Sequence, residues 1–98
     1  MGYGIKFLNE AFNETPTGVY FKELDEELYD EYKGALDYAR LSFVTTNQNE
    51  KDMLIGMAKD EYGHAKNIES ILKNNGMYHE TDKLIDLRNK ADSTINTL

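Results

Sequence analysis

The sequence predicts an all-α domain built on an antiparallel helical hairpin. Two long segments carry that prediction, about residues 21–45 and 50–74. In each, apolar side chains recur at alternating steps of three and four. Strand signals are missing: the 98 residues hold one Pro, and no period-two alternation bounded by turns appears. Hydrophobic residues make up 40% and charged residues 30%, the balance of a folded chain.

Three regions follow. Residues 1–20 read as an N-terminal arm, with one short amphipathic turn around Ile5, Leu8 and Phe12 and a break at Thr15-Pro16-Thr17-Gly18. Tyr3, Phe7, Phe12, Tyr20 and Phe21 are too many aromatics for a free tail, so the arm should pack on the body or on a neighbouring subunit. Residues 21–76 form the hairpin. Residues 77–98 carry a short third helix, from about Thr81 as N-cap to Ile95, with Leu84, Leu87, Ala91 and Ile95 as its apolar stripe.

Helix 1 shows two stripes. One reads Leu24, Leu28, Glu31, Ala35, Tyr38, Ser42; the other reads Tyr29, Tyr32, Leu36, Ala39, Phe43. A single partner helix cannot cover both. The acidic run Glu23, Asp25, Glu26, Glu27, Asp30 suits a solvated face near a helix N-terminus. Gly34 lies inside the helix at a cost of roughly 1 kcal/mol against Ala, which a close helix approach would account for.

Thr46-Asn47-Gln48-Asn49 is the turn, short enough to make helices 1 and 2 antiparallel neighbours. Helix 2 ends at Asn75-Gly76 as a C-cap. One of its stripes reads Leu54, Met57, Glu61, His64, Ile68, Ile71; the second reads Ile55, Ala58, Tyr62, Ala65, Leu72. Met53, Met57 and Met77 read as core filler.

Glu61 and His64 stand three apart, so they return to nearly the same helix face at about 100° per residue. That face is otherwise apolar. Burying a carboxylate and an imidazole there without partners would cost several kcal/mol. A transition metal satisfies both at once, as does the plainer alternative of His64 donating to Glu61. A turn centred between Asn47 and Gln48 then places Glu31 level with His64 and within about one turn of Glu61, at ~1.5 Å rise per residue. The helix 1 stripe that carries this carboxylate should therefore face the helix 2 stripe that carries the Glu-x-x-His. Three ligands are half of what a di-metal carboxylate bundle uses, and two copies around a twofold axis would supply the rest.

The absence of Cys excludes disulfides, thiolate zinc sites and iron–sulfur clusters. A net charge of −7 argues against nucleic acid and anionic membrane as partners and is compatible with attracting cations. Met1 to Phe12 holds Lys6 and Glu10 and no long apolar run, so the expectation is a cytoplasmic chain. His79 lies in a connector and should face solvent.

Asp60-Glu61-Tyr62-Gly63-His64-Ala65-Lys66 resembles the second metal-binding helix of rubrerythrins and ferritins, and Glu31-Tyr32 to Asp37-Tyr38 resembles the first. Asp37 stands where that pattern has a Trp. The length, the Glu31-to-Glu61 spacing and the short third helix are most similar to encapsulated ferritins, which are half-bundles of the ferritin-like superfamily. The resemblance implies a ferritin-like four-helix bundle formed by dimerisation, in higher ring-like homo-oligomers, with an encapsulin shell and nanocompartment as the further assembly. The last eight residues, from Ala91, do not look like a shell-docking peptide. Carried over residue by residue, the iron ligands would be Glu31, Glu61 and His64, and Tyr38 the aromatic beside a di-iron centre, with other divalent metals also admissible.

The function this implies is oxidation of Fe(II) to Fe(III) at a site shared by two subunits, a ferroxidase serving iron storage or detoxification. A rubrerythrin-like peroxidase is an alternative; lacking Cys, it would need another protein as electron donor. A non-enzymatic, metal-stabilised oligomerisation module is the third reading.

Overall fold

The structure, a computed structural model, describes residues 15–98. Among them lie three α-helices and no strand: α1 Pro16–Val44, α2 Gln48–Asn74 and α3 Asp82–Asn96. No helix among the described residues is long and apolar enough to cross a membrane. The turn expected around Ile5, Leu8 and Phe12, and the packing of Tyr3, Phe7 and Phe12, lie outside the described residues.

α1 starts five residues earlier than its apolar stripe implies. The Thr15 hydroxyl accepts the Gly18 N–H at 3.0 Å as N-cap, and Pro16 follows in the first turn. Proline there forfeits an N–H that no helix could use, so Thr-Pro is a start signal and not a break. The acidic run consequently sits beyond the first turn, which holds no acidic residue.

The connector is Thr45-Thr46-Asn47. Asn47 Oδ1 caps α2 by accepting from Glu50 N at 2.9 Å. α2 closes as a Schellman motif: Met77 N–H reaches Leu72 O at 2.8 Å, Gly76 N–H reaches Lys73 O at 3.1 Å, and Gly76 takes φ +67°. Thr81 caps α3 by accepting from Leu84 N at 3.1 Å.

The buried face of α1 is Leu28, Tyr32, Ala35, Ala39 and Ser42; that of α2 is Ala58, Ala65, Glu69 and Leu72. On α1 the contact seam therefore runs between the two expected stripes and takes members of both. On α2 it follows the second stripe, while Met57 and His64 on the first are exposed. The expectation that the Glu31 and Glu61–His64 stripes face each other is thus corrected: they border the seam. Alanines explain the rotation, because the side with the smallest residues lets two helix backbones come together. Met53 and Met57 are likewise not core filler, being 67% and 40% exposed, whereas Met77 packs against the core.

α3 packs against the hairpin and puts Leu84 and Ala91 into a cluster with Leu28, Tyr32, Ala65 and Leu72. Polar groups complete this core. The Tyr32 hydroxyl donates to Glu69 Oε2 at 2.6 Å, both groups being buried. The Tyr78 hydroxyl approaches the same oxygen at 3.4 Å, and Arg88 Nη1 donates to Tyr78 at 2.5 Å and to Glu80 at 2.6 Å. The Tyr62 hydroxyl donates to Asp92 Oδ1 at 2.5 Å, and Lys66 Nζ lies 3.2 Å from that oxygen. Burial pushes the Asp92 carboxyl upward, but these hydrogen bonds outweigh it and hold the group below the usual range.

Two tests follow from this core. Glu69→Ala leaves the Tyr32 hydroxyl buried without its acceptor and should cost about 1–3 kcal/mol in urea denaturation. The double variant Tyr32→Phe/Glu69→Leu removes both partners and should recover part of that loss. The second test is alkaline. Burial, reinforced by the nearby carboxylates, raises Tyr32, Tyr62 and Tyr78, the last two to about 12. The unfolded chain releases these protons near pH 10, so this stability is complete below that value and is lost as pH rises toward 12. The slope should reach at most about 1.4 kcal/mol per pH unit per tyrosine. Urea midpoints between pH 9 and 11 measure it, and Tyr62→Phe should shallow the decline.

Candidate metal centre

Glu31, Glu61 and His64 meet at the edge of the α1–α2 seam, about midway along the hairpin. One ligand atom from each lies within 4.8 Å of the others. His64 Nδ1 stands 3.3 Å from Glu61 Oε1 and 3.6 Å from Glu31 Oε1. The antiparallel register produces this meeting. The pairs Ser42–Lys51, Gly34–Glu61 and Glu31–His64 step along the two helices in opposite directions. The level placement of Glu31 and His64 expected from the turn is therefore present, although the stripes carrying them do not form the seam itself.

Glu31 is the most enclosed of the three, with 18% of its side chain exposed, against 29% for Glu61 and 57% for His64. The cluster has a protein wall on one side and an open side beside the imidazole. Burial raises the Glu31 carboxyl first, and the Glu61 carboxyl adds to it both as hydrogen-bonding partner and as like charge. His64 pulls the other way, while Glu27 adds a further upward push. The neighbouring carboxylate thus disfavours the charged form of Glu31, which a positive charge between them would relieve.

Tyr38, Tyr62 and His79 do not belong to this three-residue cluster. Tyr38 is two turns beyond Glu31 on α1 and half-buried, and it makes no hydrogen bond to another described side chain. Tyr62 follows Glu61, yet its hydroxyl is committed to Asp92 on α3. His79 is exposed in the α2–α3 connector, as expected.

Two further residues carried only weak sequence signals. Glu69 occupies the place that the three-and-four rhythm of Ala58, Tyr62, Ala65 and Leu72 leaves vacant, but its charge hid it. Gly34 proves to lie under the Glu61 carboxylate.

A carboxylate pair and an imidazole suit a divalent first-row metal better than calcium, because nitrogen is a poor calcium ligand. The three donors would leave coordination positions free for water, substrate or a second copy. No protein family, curated protein or solved structure matches the chain.

Proposed function

We propose that the chain is half of a ferritin-like di-iron carboxylate protein and that it oxidises Fe(II) at a site completed by a second copy. The observation that carries this reading is the convergence of Glu31, Glu61 and His64 from two helices, open on the side away from the core. In this reading Fe(II) is substrate. Glu31 and Glu61 would bind it through carboxylate oxygens and balance its charge, and His64 would add a nitrogen through Nδ1. Bound iron supplies the one-electron chemistry that converts ferrous to ferric ion with dioxygen or peroxide as acceptor. The protein's part is to hold the donors on rigid helices and to leave an entry beside the exposed imidazole.

The second copy is supported by what surrounds the cluster. By helical spacing Met57 shares the stripe of Glu61 and His64, and Tyr38 shares that of Glu31. Leu41, Met53 and Met57 are all exposed. Exposed apolar residues between a half-complete ligand set and the turn fit a twofold interface.

Chemistry and assembly are tested separately. Glu61→Ala or His64→Ala should reduce aerobic Fe(II) oxidation by on the order of 10–100-fold or more, with helical circular dichroism unchanged. His79→Ala should oxidise iron at the parent rate. Full activity in His64→Ala would place iron elsewhere, and a protein that binds iron without consuming oxygen would be a metal-stabilised oligomerisation module.

For assembly, two Glu31 and two Glu61 meeting at one interface oppose association until cations neutralise them. Metal bound only by the dimer favours it by about 2.7 kcal/mol when free metal is a hundredfold above its Kd. Sedimentation velocity at low micromolar protein should therefore show more dimer with anaerobic Fe(II) than with chelator. An unchanged balance in a sample that binds iron would mean each chain holds its metal alone.

A further inference from the structure

Gly34 occupies the middle of α1 in ordinary helical conformation; among the described glycines only Gly76 takes a positive φ. Its backbone therefore does not call for glycine, and Ala would be the better helix former there. What distinguishes the position is what lies over it. A Cβ at residue 34 would stand 2.7 Å from Glu61 Oε2, 3.5 Å from its Cδ and 3.6 Å from its Cγ. The first distance is shorter than a carbon and an oxygen tolerate without a bond. Gly56 and Gly63 on α2 have nothing within 4 Å of such a Cβ, so close approach is not common to the helical glycines.

The geometry points to Gly34 as a positioning residue for the candidate metal centre: its bare Cα is the floor on which the Glu61 carboxylate crosses from α2 to lie beside Glu31. This rests on the metal reading of Glu31, Glu61 and His64. One oxygen of Glu61 faces His64 Nδ1 at 3.3 Å, and the other rests over Gly34. The two contacts together fix the plane of the carboxylate. Gly34 is one helical turn beyond Glu31, so α1 provides both a ligand and the space its neighbour needs.

A methyl group at 34 collides with the far end of a flexible side chain and not with backbone. Glu61 then swings away while the helices stay packed. The substitution should accordingly separate two properties that usually move together. Removing a glycine from a helix interior raises helix stability, and displacing a ligand weakens metal binding.

The test uses Co(II) as probe, titrated anaerobically at neutral pH and followed by its visible absorption, beside thermal melts of metal-free protein. Gly34→Ala should raise the Co(II) Kd roughly 10–100-fold, the size of loss seen when a ligand's support is removed. Its melting temperature should stay level or rise. Gly56→Ala should bind as the parent does. Glu61→Asp, with a shorter reach, should cost less affinity in the Gly34→Ala background than in the parent. Parent-like binding by Gly34→Ala, while His64→Ala loses Co(II), would overturn this inference and leave the metal reading standing. Loss of affinity together with a lowered melting temperature would also overturn it, making Gly34 a helix-packing residue. Equal Co(II) binding by parent and His64→Ala would remove the metal reading and this inference with it.

Discussion

The alanine seam between α1 and α2 is the constraint on which the rest of the molecule depends. Ala35 and Ala39 on one helix and Ala58 and Ala65 on the other are fully buried. Small residues gain little hydrophobic free energy each, at ~25 cal/mol per Å² of apolar surface. Their effect is geometric: they bring the helices together and fix which residues are level. Larger side chains cluster where α3 packs on the hairpin: Leu28, Leu72, Leu84 and Tyr32 are all fully buried there. The candidate centre borders the seam itself, and the larger side chains gather on the face that α3 covers.

This division explains the two kinds of acid in the structure. Glu69 is buried and Asp92 half-buried, and each is given donors. Tyr32 serves Glu69; Tyr62 and Lys66 serve Asp92. Such charge-assisted bonds make a buried carboxylate tolerable. At the edge of the seam, Glu31 and Glu61 are paired with each other and with an imidazole. One arrangement settles its charge within the chain, and the other leaves negative charge crowded at an open edge. The contrast, more than the presence of acids, makes the second group the candidate for holding a cation.

Much of this was legible in the residues. The turn at Asn47 set the register, and the register alone placed Glu31 beside His64. The Asn75-Gly76 cap and the Thr81 cap were also plain, because their chemistry is local. What could not be read was rotational. Two apolar stripes on each helix left the choice of contact face open, and the alanines decided it through backbone approach, which counting apolar residues does not register. Glu69 was hidden for a related reason. A charged residue in a core stripe looks like an interruption until the Tyr32 hydroxyl is known to point at it, and those two residues belong to different helices. The Thr15-Pro16 start was misread as a break because proline ends helices and begins them with the same ring.

The rotation has a chemical consequence. Had the Glu61–His64 stripe formed the seam, its imidazole would be sealed between helices, and Glu31, Glu61 and His64 would amount to an internal hydrogen-bonded cluster. Turned to the border, the same residues keep their mutual distances, while His64 and the space beside it remain reachable. Exposure falls from His64 through Glu61 to Glu31, so an arriving cation would meet the imidazole at the rim and the most desolvated carboxylate deepest. Desolvation strengthens the pull of that last carboxylate on a cation, since the attraction between opposite charges grows as water is excluded. The alanine seam therefore does more than hold the helices. By burying the other stripe, it keeps the candidate ligands together, graded in depth and open on one side.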